Sequence, residues 1–142
     1  MSLDDLVARA ASGEPMTPSD HADLAVPTGR IDRVHYANRN ERLGIDFVVG
    51  APEFEGQQTL HTRVVHIPAG ARNELHKHAH ESVFVVIAGQ GEVRVGERRV
   101  RVGPGDMAFV PRWVVHQTCN TGSETLVIAA ITDFGFTAAA VG

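Results

Sequence analysis

The sequence predicts an all-β domain, a sandwich or barrel, behind a short N-terminal helix and an irregular arm. Three observations predict it. Short segments rich in Val, Ile and Thr recur at even spacing after Arg30, and Gly/Pro turns separate them. Helical periodicity is confined to the start of the chain. A closed or two-sheet arrangement also removes the unpaired edges that so many short strands create.

Leu3, Leu6, Val7 and Ala10 stand at helical spacing, and Ser2 with Asp5 forms a capping-box pattern, so a helix is expected over 2–11. Gly13 and Pro15 stop it. Pro15, Pro18, Pro27 and Gly29 make 15–29 an irregular arm, with room for one helical turn at 20–24. Residues 1–29 therefore form a helix and arm, and 30–142 the β domain. Strands are expected at 31–36, 45–49 and 60–67, the last closed by the turn Pro68-Ala69-Gly70. The apolar run 83–87 ends at Gly89 and Gly91. Segments 93–95 and 100–102 flank Gly96-Glu97 as a hairpin. Its valines share one face, and Arg94, Arg99 and Arg101 form a solvated stripe on the other. A turn at Gly103–Asp106 leads to strand 107–110, which Pro111 separates from 114–118. Asn120–Gly122 turns the chain into a last strand at 126–132.

The chain has 142 residues, enough for one domain with a real core. It is 43% hydrophobic and 21% charged, which excludes global disorder. A net charge of −4 argues against a nucleic-acid or anionic-membrane binder. One Cys excludes a disulfide framework and a Cys-rich zinc site. Cys119 has opposite parity to His116 and is expected to pack as a small apolar residue. The N-terminus carries Asp4 and Asp5 and does not read as a secretory signal, and no run is long enough to span a bilayer, so a cytoplasmic protein is expected.

Histidine is in surplus: eight residues, against a single lysine, Lys77. His76, His78 and His80 are two apart, so an extended chain points all three to one face. His116 lies on a later strand. A two-apart pair plus a distant His is what a β-barrel needs to converge imidazoles on one metal.

These residues resemble the two motifs of the cupin superfamily. In the first, Gly70 precedes His76-Lys77-His78 by five residues and Gly89 closes the motif; in the second, Gly105, Pro111, His116 and Asn120 fall at the family's spacings. The resemblance spans about Leu60 to Thr132 and implies a jelly-roll, or double-stranded β-helix, barrel. It implies His76, His78 and His116 as ligands of one divalent metal, Fe(II) favoured over Mn, Ni or Zn. It further implies a homodimer, with the arm reaching towards the partner.

Two positions depart from the pattern. Ser82 stands where many cupins place a metal-binding Glu, and Trp113 stands at the glycine of the second motif. Glu81 sits one position early and faces the other way on a regular strand, unless a bulge returns it to the site. A three-His site is preferred to Glu81 ligation. Ser82 can hold a water, and His80 can supply a ligand or a contact that orients one.

His66 is a candidate acid/base in the pocket, and Glu81 a second group able to move a proton. His61 has the opposite parity to His66, so both cannot line one pocket; His21 and His35 are expected on the surface. Phe84 and Val86 share the parity of Ser82 and are expected to fill the interior. Trp113 is expected at the pocket mouth or in the core, and Phe47, Phe109, Phe134 and Phe136 have no assigned place.

Cupins with three-His sites include Fe(II) oxygenases. The resemblance thus implies an oxygenase acting on a small organic acid or phenol-like compound. A non-redox isomerase or decarboxylase, and a non-catalytic small-molecule-binding protein, stay open as alternatives. Lacking a helix-turn-helix segment, the chain is not expected to bind nucleic acid.

Overall fold

A computed structural model describes residues 1–141. The chain begins with helix α1 (Leu3–Ala11), where the Ser2 side chain accepts from the Asp5 N–H and Asp5 reaches back to the Ser2 N–H. This is the predicted capping box. The arm that follows holds one isolated turn, Ala22 N–H to Ser19 C=O at 3.1 Å, in place of the expected helical turn at 20–24.

The strands are β1 (Val34–Asn40), β2 (Ile45–Gly50), β3 (His61–Ile67), β4 (Ser82–Ala88), β5 (Gly91–Val95), β6 (Arg98–Val102), β7 (Met107–Val110), β8 (His116–Asn120) and β9 (Leu126–Thr132). A short 3-10 turn, Glu41–Leu43, joins the first two. All strand ladders are antiparallel, in a six-stranded sheet of order β1-β2-β3-β9-β4-β7 and a three-stranded sheet of order β6-β5-β8. Phe47, Ile67, Val86, Leu126 and Ile128 of the large sheet meet Val93 and Val102 of the small one in a shared core. This is the predicted jelly roll.

Three boundaries differ from expectation. β1 begins at Val34 instead of Ile31, because Ile31 belongs to the arm and packs its side chain onto Gly50. β8 begins at His116 instead of Val114, because Trp113 takes a left-handed turn with φ +62°. A C-terminal helix, α2 (Phe134–Val141), was not predicted. Its Phe-Gly-Phe-Thr start has poor helix propensity. It is fixed instead by tertiary contact: the Gly135 N–H donates to the Thr59 carbonyl at 3.0 Å, and a side chain at Gly135 would collide with the Gln58 carbonyl. In the hairpin, Val93 and Val102 are buried as expected, but Val100 is exposed because β6 is the sheet edge. Phe47 is core, and Phe109 is exposed on the outer face of β7.

The segment between β3 and β4 forms a seam joining the two sheets. Arg72 bridges Ile45 of β2 on one side and Cys119 of β8 on the other, and His76 bridges His116. Asn73 binds both backbone groups and the side chain of its neighbours on β8: its Oδ1 accepts from the Thr118 N–H at 2.8 Å and its carbonyl from Gln117 Nε2 at 2.9 Å. Asn120, the last residue of the second motif, is buried and donates from one amide nitrogen to the Ile67 carbonyl at 2.8 Å and the Glu124 carbonyl at 2.7 Å.

Gly89, the closing glycine of the first motif, has φ +84°, and a Cβ there would lie 2.7 Å from the Thr125 carbonyl oxygen. Gly105 has a similar φ of +88° with nothing within 4 Å. Gly89→Ala is therefore expected to cost roughly 2–4 kcal/mol, steric clash added to backbone strain, whereas Gly105→Ala costs only the strain, about 1–2 kcal/mol. Urea unfolding of both variants checks this, and equal losses would contradict it.

Candidate metal centre

His76 and His116 come from segments forty positions apart, yet they exchange both backbone hydrogen bonds, at 3.0 and 2.8 Å. Such a pair places two side chains on one face at close range. The alternation of an extended chain returns His78 to the same face, and the Trp113 N–H fixes its carbonyl at 2.9 Å. Ring centroids then lie 4.2 Å apart for His76 and His116, 4.6 Å for His78 and His116, and 5.5 Å for His76 and His78. One nitrogen from each ring falls within 4.8 Å of the other two.

Backbone carbonyls choose which nitrogen converges. Nδ1 of His76 donates to the Glu74 carbonyl at 2.7 Å, that of His78 to the His80 carbonyl at 2.8 Å, and that of His116 to the Val114 carbonyl at 2.9 Å. A ring that donates from Nδ1 while neutral keeps its lone pair on Nε2. Burial disfavours the charged form, pushing His116 down to about 4 and lowering His78 from its ordinary value. Neutral imidazole is the form that ligates a metal. His116 is 1% exposed, and its Nε2 has no hydrogen-bond partner. A buried acceptor without a partner is costly. Three lone pairs at one point, one of them orphaned, fit a metal ion, and the group is positioned to hold one.

His80 stacks on His78 at 3.7 Å and 11°, with its edge against Phe134 at 5.6 Å. It does not join the converging nitrogens. It supports His78 twice, by its ring and by its carbonyl. Burial lowers its own pKa to about 4.

The structure agrees with the preferred three-His group and corrects the expectation for His66. Glu81 is not among the groups that converge with the three nitrogens. Its backbone is pinned to Asp133, whose Oδ1 accepts the Glu81 N–H at 3.0 Å, so no bulge turns its carboxylate inward. His66 does not line the pocket. Its register partners are Val48 and Val127, its face is opposite to that of Val65 and Ile67, and its Nε2 meets the Thr28 carbonyl at 2.9 Å. It ties the arm to the outer face of the large sheet. Ser82 does face the interior, 2% exposed and directly opposite Val110 and Thr132. Phe84, on the same face, lies 6.2 Å from the His116 ring. Trp113 is 63% exposed beside the histidine segment and takes no part in the core.

Two interior residues had no assigned role. His61 is level with Ser82 and Thr132 across β3, β9 and β4, and its ring meets Phe134 at 5.5 Å. Arg63 lies one row further in, level with Ala130 and Phe84. Strand parity is the signal for both. It was ambiguous in Arg63-Val64-Val65-His66-Ile67, because the arm buries the outer face as well and both parities carry apolar residues.

An ion pair ties the histidine segment to the C-terminal helix. Arg112 binds both Asp133 carboxylate oxygens, donates to the Ala79 carbonyl at 3.1 Å, and lies 5.4 Å from the Phe136 ring centroid. It joins the turn before β8, the histidine segment and α2.

The cupin-domain family model matches residues 63–132. Dimethylsulfoniopropionate lyase DddQ of Ruegeria pomeroyi is 29% identical over 105 residues, 68% of this chain and 52% of that protein. A protein of Aquifex aeolicus is 40% identical over 57 residues, 39% of this chain and 46% of its own length. The chain thus spans about half the length of the curated relatives it matches. Among solved structures, a cupin-2 domain of Rhodospirillum rubrum superposes with a TM-score of 0.62 at 21% identity, covering 69% of this chain and 67% of that one. KdgF of a Halomonas species superposes at 0.54 and 22% identity, covering 70% and 86%. The fold, both motifs and the family match agree: the chain belongs to the cupin superfamily.

Proposed function

We propose that this chain is a mononuclear metal-dependent enzyme for a small organic acid or phenol-like compound, with Fe(II)-dependent oxygenase chemistry. The convergence of three imidazole nitrogens, that of His116 buried and unpaired, carries the metal part of this proposal. His76, His78 and His116 would hold the ion, which supplies a Lewis acid with coordination positions left for substrate and dioxygen. Ser82 supports the oxygenase reading. It offers no carboxylate where many cupins have one, so the protein ligands add no negative charge. Phe84 gives the centre an apolar wall, and the three backbone carbonyls keep the rings aimed inward without substrate present.

A second reading is a non-redox lyase or decarboxylase, and the 29% identity to a dimethylsulfoniopropionate lyase favours it. In that case a side chain near the centre moves the proton. His61, level with Ser82 on the interior face, is better placed for this than His66 or Glu81.

Protein prepared without a histidine tag is expected to carry close to one divalent ion per chain. His116→Ala should lower its metal affinity at least about tenfold, while Glu81→Gln leaves metal content unchanged. Fe(II)-loaded protein should consume O₂ with a member of a panel of small acids and phenols, and His116→Ala should abolish it. Turnover of an acid under argon, without O₂ uptake, would replace the oxygenase by the lyase. A wild-type chain that neither holds nor acquires metal would overturn both.

In the metal-free protein His78, His80 and His116 bind protons less readily than they do unfolded. As pH falls from about 6.5, the unfolded chain takes up protons that the folded chain refuses, so stability declines towards pH 4. The urea midpoint is expected to be lower at pH 5 than at pH 7, and the difference to shrink in His116→Gln. A midpoint unchanged or higher at pH 5 would contradict this.

A further inference from the structure

Arg63 is an interior charge that metal binding leaves without a role. It stands directly opposite Ala130, which stands opposite Phe84. Directly opposed residues share a face, and Phe84 packs on the core and beside His116. Arg63 therefore projects into the interior that holds the histidines, two strands from Phe84, a backbone separation of about 10 Å. Only the methyl group of Ala130 stands between them on that row.

The guanidinium is half-buried, and one of its N–H groups donates to the Thr62 carbonyl at 3.1 Å. Five ion pairs form among the described residues, and none includes Arg63. Glu53 acts on it only from the exposed loop before β3, without closing an ion pair. Burial works against its charge. So the guanidinium shares the interior face with the centre, partly stripped of water, and its single hydrogen bond among the described residues leaves the rest of its fork to meet a ligand. A partly desolvated guanidinium gains from a partner of opposite charge. A planar fork of N–H donors matches a carboxylate and binds it through two parallel hydrogen bonds.

We propose that Arg63 anchors the carboxylate of the substrate inside the barrel, with the reacting end of the molecule turned to the three histidines. The proposal rests on the reading of the site as an enzyme for a small organic acid or phenol-like compound, and it narrows that class. Substrates carry a carboxylate at one end, and neutral phenols are excluded.

Calorimetric titration tests the anchor. The probes are oxalate, succinate, benzoate and 4-hydroxybenzoate, each beside its methyl ester, on metal-loaded and metal-free protein. At least one acid is expected to bind about tenfold or more tighter than its ester. Arg63→Met should bring that ratio to about one, and Arg63→Lys should restore part of it. Metal content should stay at the wild-type value, and the Tm of Arg63→Met should stay close to wild type, because solvent still reaches the half-buried guanidinium. A ratio retained in Arg63→Met would overturn the proposal, as would a wild-type chain that prefers no acid to its ester. A fall in Tm with loss of metal would assign Arg63 a structural role instead. Acid preference that depends on Arg63 in a chain that holds no metal would support the anchor while removing the metal enzyme.

Discussion

Two backbone hydrogen bonds, exchanged between His76 and His116, are the constraint on which the site depends. They join the segment after β3 to the first residue of β8 and so close the seam between the sheets. Neither residue needs a special side-chain conformation to find the other, because the paired backbone already aims both rings to one side. The remaining contacts refine this. Asn73 secures the next turn of the seam, Trp113 fixes the His78 carbonyl, and Arg112 with Asp133 holds the histidine segment against α2. The barrel itself, a core of Val, Ile, Leu and Phe shared by two sheets, sets the distance at which this pairing occurs.

The electrostatics follow from burial. Taking three imidazoles partly out of water lowers the proton affinity of the deeper ones, and hydrogen bonds at Nδ1 leave every free lone pair at Nε2. The result favours a cation at their meeting point and disfavours a proton. Such a site is held at a cost. The His116 Nε2 is unpaired, Trp113 sits in the left-handed region where a non-glycine residue loses about 1–2 kcal/mol, and Arg63 keeps its charge half out of water. At other positions local preference and fold agree: Ser2 caps α1, and Gly89 and Gly105 fill turns that need positive φ.

The legible part of the fold was what repeats or punctuates. Strand alternation, Gly/Pro turns and the Ser2–Asp5 cap placed nearly every element, because these signals act within a few residues. The histidine ligands were legible because two spacings, two apart on one segment and the distant His116, have few other structural reasons to coexist. What escaped depends on tertiary contact. α2 forms against Gln58 and Thr59 despite a weak helical sequence. Which parity of β3 faces inward is not readable from a strand covered on both sides, so the sequence offers His66 as a pocket candidate and gives no signal for His61 or Arg63. Glu81 is held by Asp133, fifty-two positions away, and no local pattern announces that bond.

X-ray absorption at the metal edge of the loaded protein tests the central claim most directly. The first shell is expected to hold three imidazole nitrogens, reduced to two in His116→Gln, with no carboxylate oxygen lost in Glu81→Gln. A shell with fewer than three imidazoles in the wild-type protein, or one whose oxygen ligation changes with Glu81, would contradict it.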